Sequence, residues 1–215
     1  MHELSIKIEN LSKSFKDKCI LKSVNLIIKE GEIVIITGSS GEGKTTLLKI
    51  LAGLESFEGI VKVDSELINF KDQIAYVPQQ NSLWDNMNVI DNITLFRKIK
   101  LHEDKKTAES NIENLWDLFK ISHLRNRYPA NLSQGEQQRV SFARAIATNR
   151  KIYLLDEVTA NLDLRNKDII ANAIVQLSHK QCITIVVTHD LYFAQYLSKN
   201  YFTLENCNLT LQTFK

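Results

Sequence analysis

An α/β fold, in which a mainly parallel sheet is interrupted by an inserted helical segment, is what this chain of 215 residues predicts. Two patterns carry that reading. Short apolar runs alternate with helical periodicity toward both ends, and from Val89 to Asn149 the pattern becomes helical. Alternating strands and helices pack as a parallel sheet, because parallel neighbours need a long crossover that is usually a helix. The length allows one sizeable core and is short for two full domains.

The elements follow in order. Residues 4–8 and 24–28 read as short strands on either side of a polar turn at Lys16-Asp17-Lys18. Glu32 to Thr37 is an apolar, buried strand that runs into glycine and serine, after which Lys44 to Leu54 reads as a helix. Further strands fit Gly59 to Val63 and Ile74 to Val77. In the helical stretch Leu115, Leu118 and Phe119 stand at helical spacing with charges between them. Strands return at Lys151 to Leu155 and Ile183 to Val187, with a helix over Leu164 to Ser178 between them. One more helix and a strand pair fit after His189. No repeat, low-complexity tract or Pro/Gly linker is evident, so the insert is expected to be packed rather than tethered.

Composition narrows the function. The chain is 44% hydrophobic and 24% charged, with 27 Lys and Arg against 25 Asp and Glu, a net charge of +2. Phosphate backbones are bound by a clear surplus of clustered cations, so no nucleic-acid partner is expected. Cys19, Cys182 and Cys207 are scattered and form no C-x-x-C pair, which argues against metal or disulfide roles and fits a reducing compartment. The start, Met1-His2-Glu3-Leu4-Ser5, lacks a basic segment followed by an apolar run, so no secretory leader is expected. Apolar runs such as Ile33-Val34-Ile35-Ile36 are strand-sized, far short of the roughly 18 residues that span a bilayer.

Three motifs carry chemistry. Gly38-Ser39-Ser40-Gly41-Glu42-Gly43-Lys44-Thr45 fits the phosphate-binding loop G-x-x-x-x-G-K-[ST], between an apolar strand and a helix. Glycines let successive N–H groups point inward at phosphate oxygens, and the helix that carries Lys44, Thr45 and Thr46 adds its positive end. Lys44 supplies a point charge for the β- and γ-phosphates, and Thr45 offers a hydroxyl to Mg²⁺. Ile152-Tyr153-Leu154-Leu155-Asp156-Glu157 is an apolar strand ending in two acids. Asp156 suits the Mg²⁺ site, through water, and Glu157 suits a general base on the attacking water. On their own such acids are more often solvated loop residues; beside the phosphate loop the balance reverses. Leu132-Ser133-Gln134-Gly135-Glu136 has the form of a capping box, with Ser133 as cap and Glu136 reaching back.

The same segment, continued as Gln137-Gln138-Arg139, resembles the signature sequence LSGGQ of the ATP-binding-cassette (ABC) ATPases, and other segments match that family in order. The resemblance implies a P-loop NTPase fold with a mainly parallel sheet, an N-terminal antiparallel β-subdomain and an α-helical subdomain near residues 88–149. It also implies that residues 1–215 form a single nucleotide-binding domain. Phe15 sits where the family places an aromatic that stacks on adenine; a lone Phe is more often core. Gln79, after Tyr76-Val77-Pro78, matches the glutamine that touches Mg²⁺ and the attacking water. Ala160-Asn161-Leu162-Asp163 resembles the D-loop, with Asp163 reaching across a dimer. Val186-Val187-Thr188-His189-Asp190 matches the switch in which His189 contacts the γ-phosphate. Ser133 and the N–H of Gly135 are implied to bind the γ-phosphate of ATP held by another subunit. ATP and Mg²⁺ are therefore the implied ligands.

Three residues depart from the family pattern. Gln134 replaces a glycine, which requires a negative φ or strain. Glu136 replaces a glutamine and brings negative charge toward a triphosphate unless it turns away to cap the helix. Val158 stands where a proline often follows the catalytic glutamate.

The implied function is the ATPase subunit of a transporter, working as a homodimer or with a related ATPase subunit. It would be cytoplasmic, held on the inner face of the membrane by a separate transmembrane permease. Trp84, Met87 and Val89 are expected to offer that partner apolar surface, with a core role for Trp84 as the alternative. Two other classes compete: an ABC ATPase that regulates a membrane partner without transport, and a soluble one acting on ribosomes or DNA. The latter usually carries two cassettes or a long coiled-coil insert, and neither is present here. Pro78 to Val89 is similar to the corresponding region in amino-acid importers, while compact cassettes of lipoprotein-releasing and peptide-exporting systems have comparable lengths.

Overall fold

The computed structural model describes residues 4–64, 70–80 and 83–214. The chain divides into two compact units: Met1–Tyr76 with Arg150–Glu157 and Ile174–Lys215, and Val77–Asn149 with Val158–Ala173.

The first unit contains β1 (Ser5–Phe15), β2 (Lys18–Lys29), β3 (Ile33–Thr37), α1 (Lys44–Leu51), β4 (Glu58–Asp64) and β5 (Ile74–Val77, whose last residue opens the second unit). It resumes with β6 (Ile152–Asp156). β7 (Ile183–Val187), α7 (Leu191–Leu197), β8 (Asn200–Glu205) and β9 (Asn208–Thr213) complete it. Six strands lie in the order β5-β6-β7-β3-β8-β9. β6, β7, β3 and β8 run parallel, and β9 turns back antiparallel on β8. Every residue of β6 and β7 is buried, as expected of parallel strands covered on both faces. α1 packs on β6 and β7, and α7 on β3.

The second sheet of this unit, β2-β1-β4, is antiparallel. β1 and β2 are about twice as long as the short strands the sequence suggests, and the reason is a bulge. Ile6 and Ile8 are buried at even positions, but the register shifts between Ile8 and Leu11, so Leu11 is buried at an odd one. On β2, Leu21 and Val24 are likewise buried out of phase, with Ser23 between them at φ 46°. A bulge inserts one residue and flips the face of all that follow, so simple alternation stops short of the true strand end. α1 also ends earlier than expected, at Leu51 rather than Leu54. Gly53 adopts φ 73°, and the N–H of Gly53 and Leu54 close back on Ile50 and Lys49.

The second unit is helical: α2 (Val89–Lys100), α3 (Lys105–Ser110), α4 (Glu113–Phe119), α5 (Gln134–Ala147) and the first part of α6 (Leu164–His179). Asn88 caps α2 by accepting from the Asp91 N–H, and Asp104 caps α3 through Thr107. α2 and α4 pack on α5, where Phe119 meets Phe142 edge-on with ring centres 5.5 Å apart. The Arg97 guanidinium, buried in α2, donates to the Ala147 carbonyl at 2.8 Å and so closes the C-terminal end of α5. Of the three residues expected to offer apolar surface, Val89 is fully buried and belongs to the core. Trp84 is 45% exposed, and the Arg144 guanidinium lies 4.6 Å from its ring centre, so the core alternative for Trp84 does not hold. Among the described residues, no helix is long and apolar enough to cross a membrane.

Candidate active site

The parallel strands deliver their C-terminal ends to one edge of the sheet. In register, Asp156 pairs with Val187 and Ile36 pairs with Val187, so the residues just beyond β6, β7 and β3 emerge side by side. Those residues are Glu157, His189 and Gly38. Ligands of open α/β sheets bind in the crevice outside these carboxyl ends.

After β3 the chain wraps as Gly38 to Gly43 and enters α1 at Lys44. Gly38 takes φ 145° directly against the Leu204 carbonyl, where a Cβ would collide with main chain. Gly38→Ala is therefore expected to destabilise the protein by about 2–4 kcal/mol, seen as a lowered unfolding midpoint. Gly43 caps α1 at φ 100°, and a Cβ there would lie 2.5 Å from Ile20 Cγ2. Within the loop the Glu42 N–H closes on the Ser39 carbonyl, Ser40 and Gly41 form the tip, and the Glu42 carboxylate turns outward to accept from the Asn206 N–H at 3.1 Å. Lys44 is 7% exposed and folds over the loop, donating to the carbonyls of Gly38 at 2.8 Å and Ser39 at 2.9 Å. Those carbonyls hold the ammonium in place while leaving it a partner that an anion can displace.

Thr45 Oγ1 donates to Asp156 Oδ1 at 3.1 Å, so hydroxyl and carboxylate stand together as two hard oxygen donors. Thr46 follows in the first turn of α1. Burial raises the Asp156 carboxyl above the usual carboxylate range, while the hydroxyls of Thr45 and Tyr76 draw it down again. Tyr76 escaped the sequence reading. Its hydroxyl donates to Asp156 Oδ2 at 3.1 Å, and burial together with the adjacent carboxylate pushes its own pKa up. The only sequence sign was its place on β5 between the buried Ala75 and Val77, facing the other way.

Glu157 is 9% exposed and occupies φ 50°, a left-handed conformation. Its N–H donates to the Val187 carbonyl at 2.9 Å, and its Oε2 lies 2.9 Å from His189 Nδ1. The imidazole is largely exposed. Phe15 ends β1 half-exposed, with the Lys13 ammonium 4.6 Å from its ring centre.

The second unit gathers the rest. Ser133 caps α5 and the capping box is complete: Glu136 N–H donates to Ser133 Oγ at 3.3 Å, and Ser133 N–H donates to Glu136 Oε2 at 2.8 Å. Gln134 is the first helical residue and has no positive φ, so its replacement of glycine carries no backbone strain. Glu136 turns away to cap. Burial works against it, yet the hydrogen bonds from Ser133 hold its carboxyl below the usual range. Gly135 faces Asn166 on α6, which would meet an added Cβ at 2.8 Å; Arg139 donates to the same Asn166. Asn166, absent from the sequence reading, therefore sets how closely α6 approaches the start of α5. Asp163 caps α6 by accepting from the Asn166 N–H at 2.8 Å. Gln79, Gln134, Gln138 and Asn161 line one polar pocket of about 410 Å³. Of the segment 78–89, Asn81 and Ser82 lie outside the described residues.

The expected residues thus fall into two sets, one in each unit. Thr45, Asp156, Glu157, His189 and the loop over Lys44 share the first, while Gln79, Ser133, Gly135 and Asp163 share the second.

Comparison with known proteins shows the family. A family described as ABC transporter matches residues 21–160. A probable ABC transporter ATP-binding protein, PEB1C of Campylobacter jejuni, is 33% identical over 210 residues, covering 94% of this chain and 87% of that one. The sulfate/thiosulfate import ATP-binding protein CysA of Neisseria meningitidis is 36% identical across 87% of this chain, which spans 55% of that relative's length. Among solved structures, the dimeric bacterial ABC transporter cassette MJ0796 aligns with a TM-score of 0.85 at 30% identity, over 98% of this chain and 99% of that one. The chain belongs to the ABC transporter family, as an ATP-binding subunit that hydrolyses ATP.

Proposed function

We propose that this chain powers transport through a separate transmembrane permease by ATP-driven, head-to-tail pairing with a second copy or a related ATPase subunit. The observation that carries this reading is the split of the site. Lys44, Asp156, Glu157 and His189 belong to one unit, and Ser133 with Gly135 to the other, at the exposed N-terminus of the fourteen-residue helix α5. A chain with one copy of each half makes two composite sites when two chains pair about a twofold axis. The whole chain, 1–215, then serves as one nucleotide-binding domain with its helical part near 88–149 inserted. Phe15 offers its exposed face to adenine.

The chemistry follows from the first unit's geometry. Triphosphate entering the loop draws the Lys44 ammonium off the Gly38 and Ser39 carbonyls, and the loop N–H groups and α1 terminus complete the cradle. The Thr45 hydroxyl and the Asp156 carboxylate would hold Mg²⁺, which would offset the charge of the phosphates, and the family resemblance adds Gln79 as a further oxygen ligand. Tyr76 keeps Oδ2 of Asp156 fixed whichever partner Oδ1 takes. Glu157 holds Oε2 on His189 and presents Oε1 to water, from which it takes a proton as general base. The exposed edge of the His189 ring is free to reach a γ-phosphate. Ser133, Gly135 and the α5 dipole of the opposite chain close over that phosphate, and Asp163 lies beside them. Loss of the γ-phosphate removes the shared ligand and lets the pair reopen.

Affinity-tagged chain, expressed in its own host and extracted with mild detergent, tests the reading. Co-purification with a polytopic membrane protein and Mg²⁺-dependent ATP turnover by the complex are expected. Recovery with ribosomes or DNA and no membrane partner would reject transport in favour of a soluble role.

A further inference from the structure

The three cysteines take no part in the chemistry above, yet two of them meet. Cys19 lies near the start of β2 and Cys207 in the turn between β8 and β9, 188 residues further along. The Cys207 thiol donates to the Cys19 carbonyl at 3.1 Å. The neighbouring Cys19 side chain, together with burial, holds the Cys207 pKa above its ordinary value. Main chain fixes the approach, because the Lys22 N–H donates to the Cys207 carbonyl at 2.8 Å. Both cysteines are free, Cys19 exposed and Cys207 half-buried, whereas Cys182 is buried elsewhere against the Arg150 carbonyl.

The neighbours of this pair touch the phosphate loop from two sides. Ile20, next to Cys19, closes on Gly43. Asn206, next to Cys207, donates its N–H to the Glu42 carboxylate at 3.1 Å. Phe15 stands at the end of the hairpin that Cys19 enters. A covalent link here would join the aromatic-bearing hairpin to the turn that backs the loop.

We propose that Cys19 and Cys207 are a redox modification site, forming a reversible intramolecular disulfide when hydrogen peroxide reaches Cys19. The exposed Cys19 thiolate attacks the peroxide oxygen, the O–O bond breaks, and the leaving oxygen departs as water after taking the thiol's proton. Cys19 becomes a sulfenic acid. The Cys207 sulfur then attacks the Cys19 sulfur, the S–S bond forms, the S–O bond breaks, and hydroxide leaves with the Cys207 proton as a second water. Two thiols are oxidised and one hydrogen peroxide is reduced. Charge on one sulfur of so close a pair opposes charge on the other, so one thiolate attacks while its neighbour waits as the resolving thiol. A dithiol reverses the step by exchange. The link restricts the Phe15 hairpin against the phosphate loop in the arrangement seen, so nucleotide meets a more preorganised site.

The full chain, reduced with dithiothreitol and then treated with hydrogen peroxide, tests this by intact mass and non-reducing peptide mapping. A monomer lighter by two hydrogen atoms, a Cys19–Cys207 linked peptide and full reversal by dithiothreitol are expected. Cys207→Ser should stop at a sulfenic acid on Cys19 that dimedone traps, and Cys19→Ser should form no link. Links between chains, or sulfenic acid accumulating in the parent chain without a link, would overturn the site. Equilibrium ATP binding without turnover reads the consequence: about threefold or tighter affinity in the oxidised parent, and no change on peroxide treatment of Cys207→Ser. Equal affinity in both redox states would overturn the coupling to the phosphate loop. Neither result depends on the identity of the membrane partner.

Discussion

Glu157→Gln is expected to retain ATP binding and to lower hydrolysis by at least about a hundredfold, the contribution of a well-placed general base. The change is nearly isosteric. An amide oxygen still accepts from the His189 ring where Glu157 Oε2 now lies 2.9 Å away. The left-handed backbone at Glu157, φ 50°, is no harder for Gln than for Glu, so the fold should not respond. What disappears is basicity. Because the γ-phosphate then stays, the paired state should accumulate with ATP and be visible by size-exclusion chromatography. Turnover at the parent rate would remove Glu157 from the base role. His189→Ala separates the two partners: it should slow turnover while leaving the Glu157 carboxylate, and so need not trap the pair to the same extent.

The phosphate loop was legible in the sequence because its spacing is local: eight consecutive residues between a strand and a helix state both the fold and the ligand. The acids closing β6 were legible only in its company. Less visible was anything set by strands that meet across the sheet. Tyr76 and Asp156 are eighty residues apart, and only the β5-β6 pairing brings the hydroxyl to the carboxylate. Asn166 touches Gly135 and Arg139 because α6 crosses the start of α5, which no periodicity announces. Cys19 and Cys207, read as scattered, adjoin because the turn before β9 packs on the start of β2. The long hairpin strands were cut short by a bulge that reverses the buried face, and Val89 was taken for surface because an apolar residue after a polar loop looks the same in either setting. The capping box around Gln134 and Glu136 is a local pattern that the sequence does carry, and the helical backbone at Gln134 removes the need for a glycine there.

Ser133→Arg should abolish ATP-dependent pairing and turnover while leaving nucleotide binding to the single chain. Ser133 is exposed at the N-terminus of α5, so a long cation there meets whatever approaches that helix end and disturbs little of the core. The substitution also removes a cap worth about 1 kcal/mol, and Ser133→Ala controls for that loss without adding bulk. A lowered unfolding midpoint shared by Ala and Arg reads the lost cap, and loss of pairing beyond that of Ala reads the obstruction at the helix end. Combined with Glu157→Gln, Ser133→Arg should prevent the accumulated pair. Mixing supplies the decisive arm. Ser133→Arg chains keep an intact Lys44 half-site, and Lys44→Ala chains keep an intact Ser133 half-site, so each is inactive alone. In a mixed pair one of the two composite sites is whole, and turnover should return toward about half that of the parent pair if the sites fire independently. Recovery on mixing requires that Lys44 and Ser133 act on one nucleotide from different chains; if mixing restores nothing while each variant still folds and Ser133→Arg still binds ATP, the composite site is wrong for this protein.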